Sequence, residues 1–366
     1  MTNTDLFTTA RLGALELPNR LVMAPLTRNR AEADGTPSEL MRIMYTQRAG
    51  AGLIIAEGTT PNAVGQTYPN IPGIHTDSHI AGWRRVTDSV RDAGGRMFLQ
   101  LQHGGRVGHP DNSGLIPVAP SPIPLPEGIH TPSGHQESVT PRELSPADIQ
   151  DTIADFATAA RNAVAAGFEG VEIHSANGHL LHQFLAANTN RRTDAYGGPI
   201  AHRIRFTLEV VDAVIAAIGA DRVGIRIAPG VTTNGIAEND TDELYPALVT
   251  ALARRHPAYL HIVFADPESA LFQRIRQLWP HTLIANPNLG RGELPADGGK
   301  AAAEALLAAG ADLASLGRAF LANPDLVDRL RLGAPLNPLG DAPLMYVGGP
   351  DGYLDYPALD ASSEAA

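Results

Sequence analysis

Apolar residues fall into eight short runs along the chain, each closed by a polar cluster and followed by a longer amphipathic stretch. The runs occupy residues 20–25, 52–56, 96–101, 170–173, 223–227, 258–264, 281–285 and 312–316. Short and apolar on both faces, they predict strands covered on both sides. Helical periodicity fills the gaps at 38–49, 78–92, 146–166, 202–218, 242–254, 299–309 and 323–332. Ser145 precedes Pro146, with Asp148 in the first turn, which marks a capped helix start. Strand and helix alternating eight times predict an α/β protein with a closed (β/α)8 TIM barrel, in preference to a doubly wound sheet split between two domains. No Gly/Ser-rich or charged linker divides the chain, so residues 1–358 are expected as one domain and 359–366 as a flexible tail. Residues 110–146 break the pattern with nine prolines in 37 positions. They predict a non-helical insertion after strand 3, over the C-terminal mouth of the barrel, where pocket walls form.

Composition narrows the chemistry. The 366 residues are 43% hydrophobic, ample for a large core. Lys and Arg number 28 against 39 Asp and Glu, a net charge of −11, and no basic run stands out, so neither nucleic acid nor an anionic membrane is expected as a partner. Cysteine is absent, which excludes disulfides, thiolate metal sites and cysteine nucleophiles. The N-terminus lacks a signal-peptide pattern and no apolar run reaches about 18 residues, so a cytoplasmic protein is expected. No G-x-G-x-x-G follows a strand, and no P-loop or G-x-S-x-G is present; any nicotinamide must visit and leave.

In an eight-fold barrel the working residues sit where strands end. Those ends carry Pro25, Thr27 and Arg28, then Glu57 and Gly58, then Gln100, Gln102, His103 and Arg106, then His174, Asn177 and His179, and finally Arg226, Asn286, Gly317 and Arg318. Amides, a hydroxyl and guanidinium groups at one mouth suit a large, flat, partly anionic ligand. A charge inside the run Val223 to Ile227 either faces the mouth or bears a heavy desolvation cost, which favours a function for Arg226. Gly317 and Arg318 suit a phosphate after the eighth strand, with a plain helix start and surface arginine as the alternative. His174 and Asn177 can aim two neutral donors at one carbonyl oxygen, or can satisfy turn backbone. Zinc on His174, His179 and His182 is disfavoured by the spacing and by the lack of a carboxylate, so no metal is expected.

These elements resemble the Old Yellow Enzyme family of FMN-dependent ene-reductases over nearly the whole chain. The motifs are Ala24-Pro-Leu-Thr-Arg28, Gly52-Leu-Ile-Ile-Ala-Glu57, Gln100-Leu-Gln-His-Gly-Gly-Arg106, His174-Ser-Ala-Asn-Gly178, Gln183-Phe-Leu185, Arg191 to Gly198, Gly317-Arg318 with Asn323-Pro-Asp-Leu326, and Gly352 to Pro357. The resemblance implies that Thr27 and Gln100 bond the flavin's pyrimidine edge, Pro25 and Gly58 line it, and Arg226 stabilises its anionic reduced form. It further implies that Arg318, Gly317 and Asn286 hold the phosphate, His174 and Asn177 bind the substrate carbonyl, and Tyr68 and Tyr346 line the substrate pocket. The implied reaction is ping-pong: NADPH or NADH gives hydride to flavin N5 and leaves, and an activated alkene takes it at the β-carbon. Other acceptors are nitro compounds and quinones, and the expected assembly is a monomer or homodimer.

Two positions depart from the family. His179 stands where the family usually has a proton-donating tyrosine, so protonation is expected to be water-assisted or to quicken as pH falls through the His179 pKa. Gln102 stands where many members carry tryptophan, which predicts a roomier, more polar pocket. The competing functions are a flavoprotein isomerase or desaturase on an enone and a flavin- or phenol-binding protein of low activity.

Overall fold

The computed structural model describes residues 5–290 and 292–359. Eight parallel strands close into a barrel in sequence order: β1 (Leu21–Met23), β2 (Leu53–Thr59), β3 (Met97–Leu101), β4 (Gly170–Ser175), β5 (Val223–Ile227), β6 (Tyr259–Ala265), β7 (Thr282–Pro287) and β8 (Leu313–Leu316). Closure is made by β8 on β1, with Ala314 opposite Leu21 and Leu316 opposite Met23. All eight apolar runs are strands. β2 and β4 continue past the apolar pattern to Thr59 and Ser175, so Glu57, Gly58 and His174 stand on strands and not in loops.

Helices α1 (Glu39–Thr46), α2 (Asp77–Asp92), α3 (Pro146–Ala165), α4 (Arg205–Ile218), α5 (Thr241–Ala253), α6 (Ala270–Leu278), α7 (Lys300–Ala308) and α8 (Leu326–Leu332) surround the barrel. At α3 the cap is reciprocal: Ser145 Oγ accepts from Asp148 N–H, and the Asp148 carboxylate accepts from Ser145 N–H at 2.8 Å. The sequence pattern missed α6, a short helix that Ser269 caps. The helix expected at 323–332 begins only at Leu326, and a separate turn at Arg318–Ala322 precedes it.

Period-two alternation points every second residue of a strand into the barrel. Phe98 and Tyr259 fill its floor with ring centroids 5.7 Å apart, packed with Val22, Leu53, Ile55, Ile284 and Leu313. Two glycines make room for them. A Cβ on Gly170 would lie 2.6 Å from the Phe98 ring, and one on Gly224 would lie 2.1 Å from that of Tyr259. Leu12 and Leu17, from an antiparallel ribbon of Ala10–Leu12 and Leu15–Leu17, join this floor cluster.

The proline-rich insertion needs a correction. Pro110–Ser113 does form a helical turn, because proline at the first helical position loses no bond the helix would make. His109 caps it and Gly114, at φ 73°, ends it. Beyond it, Ile129–Thr131 pairs antiparallel with Gly134–Gln136, and Ile129, Leu125 and Val107 form a small apolar cluster against Tyr68. At the other end of the chain, Arg28 donates to the Met345 and Gly352 carbonyls at 2.6 and 3.1 Å and Arg30 to those of Leu344 and Val347 at 2.6 and 2.9 Å. The Tyr353 ring lies against both guanidinium groups, at 4.6 and 4.7 Å. This clamp fixes the segment carrying Tyr346. Leu359 N–H donates to Asp325 at 2.6 Å, and the rest of the tail expected at 359–366 lies outside the described residues.

Candidate active site

The C-terminal ends of the strands surround a cleft of about 440 Å³. Pro25, Asn177, Arg226, Asn286, Gly317, Arg318 and Tyr346 line it, seven of the positions singled out in the sequence. The other expected residues lie off that wall. Thr27 is half-buried two positions past Pro25. A Cβ on Gly58 would meet the Gln102 amide at 2.2 Å, and Gln102 Nε2 donates in turn to Thr67 Oγ1 at 3.3 Å. Tyr68 is half-buried, its phenol held protonated by burial and by the charges of Glu127 and Tyr346.

Arg226 is the unusual group. It is 5% exposed on β5, its Nε is shut off from solvent, and no described residue accepts a hydrogen bond from its side chain. Burial lowers its pKa and the Glu172 carboxylate opposes the shift. A guanidinium stays charged at neutral pH, so the cleft floor carries a cation with donors to spare. Beside it, Gln100 Nε2 donates to Glu172 at 2.8 Å and meets His174 Nδ1 at 3.4 Å, while no described residue donates to its Oε1.

His174 pairs in register with Arg226. Burial, then His179 and Arg226, push its pKa well below the ordinary value, so it is neutral. Because Nδ1 accepts from Gln100, the ring proton sits on Nε2 as a donor. Asn177 is in the left-handed region at φ 54°, held there by Asn234 Nδ2 donating to its carbonyl at 2.8 Å. The turn is pinned again one residue on, where Gly178 N–H donates to His182 Nδ1 at 3.1 Å.

His179 presents the opposite polarity. Its Nδ1 lies 3.3 Å from the Ala176 carbonyl oxygen, an atom that only accepts, so Nδ1 carries the proton and Nε2 a lone pair. That Nε2 is buried without a described partner, and the ring centroid is 4.8 Å from that of His174. Burial, against the hydrogen bond to Ala176, takes its pKa to about 4. At neutral pH it offers an acceptor where the resemblance led one to look for an acid.

At the other end of the cleft, Arg318 donates to the carbonyls of Gly292 and, at 2.9 Å, Gly290. One Asn286 N–H is committed to the Ser315 carbonyl at 2.8 Å, leaving its second N–H and its oxygen. His182 is fully engaged, with Nε2 3.2 Å from Glu238, which also accepts from Tyr245 at 2.9 Å; no group of three potential metal ligands occurs among the described residues.

Sequence reasoning missed the buried partners. Glu172, His261 and Ser315 form a chain inside the barrel, with His261 Nδ1 2.8 Å from Glu172 and Nε2 2.7 Å from Ser315 Oγ. Glu172 and His261 interrupt apolar runs just as Arg226 does, and that signal was available. Glu57 accepts from Arg28 N–H and Tyr45, and burial raises its pKa to about 7.

A mouth that joins a buried cation to a neutral donor pair belongs with barrels that bind a planar anionic cofactor and act on a carbonyl compound beside it. The family described as "NADH:flavin oxidoreductase / NADH oxidase family" matches residues 5–337. The chain is 41% identical to 12-oxophytodienoate reductase 1 of Oryza sativa subsp. japonica, over 98% of this chain and 94% of that protein. It is 39% identical to the probable flavin mononucleotide-dependent alkene reductase of Leishmania infantum, over 95% and 96%. Morphinone reductase, also solved with tetrahydroNAD, superposes with a TM-score of 0.91 at 42% identity, covering 99% of this chain and 98% of that one. The chain belongs to this family of flavin oxidoreductases, the Old Yellow Enzyme family. It is an FMN-dependent enzyme that uses NAD(P)H to reduce activated C=C bonds.

Proposed function

We propose that Arg226, Gln100 and Thr27 bind the pyrimidine edge of FMN, with Pro25 and Gly58 along the ring and Arg318, Gly317 and Asn286 at the phosphate. The fit rests on Arg226: a buried cation with no described acceptor calls for an electron-rich edge, and Gln100 leaves a carboxamide oxygen for a ring N–H. FMN held there would supply the two-electron hydride chemistry that links the reduced nicotinamide to the acceptor's C=C bond. His174 Nε2–H and the Asn177 amide hold the acceptor's carbonyl oxygen and stabilise the charge that develops there. Both donors are neutral, so the clamp works across the physiological pH range. Gln102, Tyr68 and Tyr346 face the rest of the acceptor.

The proton for the α-carbon comes from water. His179 cannot supply it near neutrality, because its one proton is committed to Ala176 and a second would be acquired only near pH 4. Its free Nε2 orients that water by accepting a hydrogen bond. The protein acts in the cytoplasm as a monomer or homodimer, on small-molecule alkenes; no described helix is long and apolar enough to cross a membrane.

Anaerobic turnover of purified protein with NADPH or NADH and 2-cyclohexenone tests the reading. Nicotinamide oxidation matched by saturated ketone supports it, and enone rearrangement without nicotinamide would place the chain among isomerases.

A further inference from the structure

The barrel interior contains a charged chain to which the reaction as described assigns no part. Glu172 on β4 is fully buried, accepting from Gln100 on β3 and from His261 on β6, both at 2.8 Å. His261 reaches Ser315 on β8 at 2.7 Å, and Arg226 stands on β5 directly opposite both His174 and His261 in the strand register. Four strands are thereby joined in one layer beneath the cleft, with Arg226 between two of them.

The charges in that layer nearly cancel. Burial alone would raise the Glu172 pKa, but the His261 ring, the Arg226 guanidinium and the Gln100 amide outweigh it and keep the carboxylate ionised. Burial and Arg226 hold His261 down against the pull of Glu172, so its Nδ1–H donates to the carboxylate and the Ser315 hydroxyl donates to Nε2. The other groups facing them are uncharged: His174 is pushed well below its usual value and the Tyr259 phenol well above, each mainly by burial. One buried cation is thus offset by one buried anion. Arg226 alone would strongly favour the negative charge that reduction places on the cofactor, and in a low-dielectric interior an anion beside it weakens that preference.

We propose that Glu172 is a positioning residue that sets the midpoint potential of the bound flavin, holding the Gln100 amide in place and offsetting Arg226 so that the electron pair remains transferable to weakly activated alkenes. This rests on the FMN reading above. His261 and Ser315 serve it by keeping the carboxylate ionised and fixed.

The test is a dye-coupled reductive titration of the FMN-loaded enzyme and its variants. Glu172→Gln keeps an acceptor for Gln100 and deletes the charge, so the reduced-to-oxidised ratio at a fixed potential should rise at least tenfold, about 30 mV for a two-electron couple. Glu172→Asp, which retains the charge, should stay near the parent. An unchanged or lowered potential in flavin-loaded Glu172→Gln overturns the proposal. If that variant takes up no flavin, His261→Phe decides: without its donor the carboxyl takes a proton as pH falls, so its potential should exceed the parent's in mildly acidic buffer and converge in alkaline buffer. Equal potentials in both buffers, or loss of flavin from both variants, overturn the proposal. A parent protein that binds no FMN is a failure of the cofactor reading itself, visible before any variant is made.

Discussion

Two layers of the barrel interior are built by the same strands and differ in almost every other respect. Phe98, Tyr259, Ile284 and Leu313 belong to the floor; two positions further along those strands stand Gln100, His261, Asn286 and Ser315. Glu172 and Arg226 likewise follow Gly170 and Gly224 at that spacing. The floor is a closed apolar cluster with no charged residue in it. The layer above carries ionised groups, and in it and in the turn after β4 are buried atoms without described partners, among them Arg226 Nε, Asn177 Oδ1 and His179 Nε2. Alternation along a strand decides which residues face inward, and height along the barrel decides whether they stabilise the fold or bind a ligand.

The largest expected effect separates the layers by stability. Phe98→Ala empties the floor and should cost about 3–5 kcal/mol in chemical denaturation while leaving turnover per folded molecule near that of the parent. A selective loss of turnover at unchanged stability would break the division. The reverse case is His174→Ala, which removes one of the two donors proposed for the carbonyl oxygen. It should lower kcat/KM for an enone about 10²–10³-fold with the denaturation midpoint little changed. Restoring an acid at position 179 is a gain: His179→Tyr should speed the half-reaction with enone by about 10²-fold at neutral pH, read by stopped flow, at the low end of general-acid contributions. No change at any pH would show that proton delivery does not pass through this position.

The buried histidines should also make the fold sensitive to acid. Burial holds His103 to about 3, His179 and His75 to about 4, His174 well below the ordinary value and His261 below it. The unfolded chain takes up protons near pH 6.5 that the folded chain refuses until near pH 4, so stability falls as pH drops through that window. Glu57, raised to about 7, acts the other way, since the folded chain keeps a proton that the unfolded chain loses above about 4.5. Five histidines against two raised carboxyls, Glu57 and Glu169, predict a Tm that declines on acidification from neutrality; a rising Tm would contradict it. The smallest effect is steric: Gln102→Trp should alter the enantiomer ratio of a prochiral enone with little change in rate.

The barrel was legible because eight apolar runs and their spacing follow from burial on both faces. The cleft was legible because polar residues at strand ends have few other reasons to be there, and Asn177, Arg226, Asn286 and Arg318 converge on it. The buried partners were not. Glu172 and His261 make sense only across strands 89 positions apart in the chain, and the tautomer of His179 is set by a carbonyl contact that no pattern encodes. The turn at Pro110 was excluded by the density of prolines across 110–146, whereas the first helical position tolerates one, as at Pro146.

The most direct test of the site as a whole is the visible spectrum of the FMN-loaded protein during titration with a simple phenol. The proposed roles of Arg226 at the ring edge and of His174 and Asn177 as donors above it predict a long-wavelength charge-transfer band that grows with the phenol and is lost in His174→Ala. A yellow protein that never develops the band would contradict the carbonyl clamp, and a colourless protein that FMN cannot reconstitute would contradict the account from the cofactor upward.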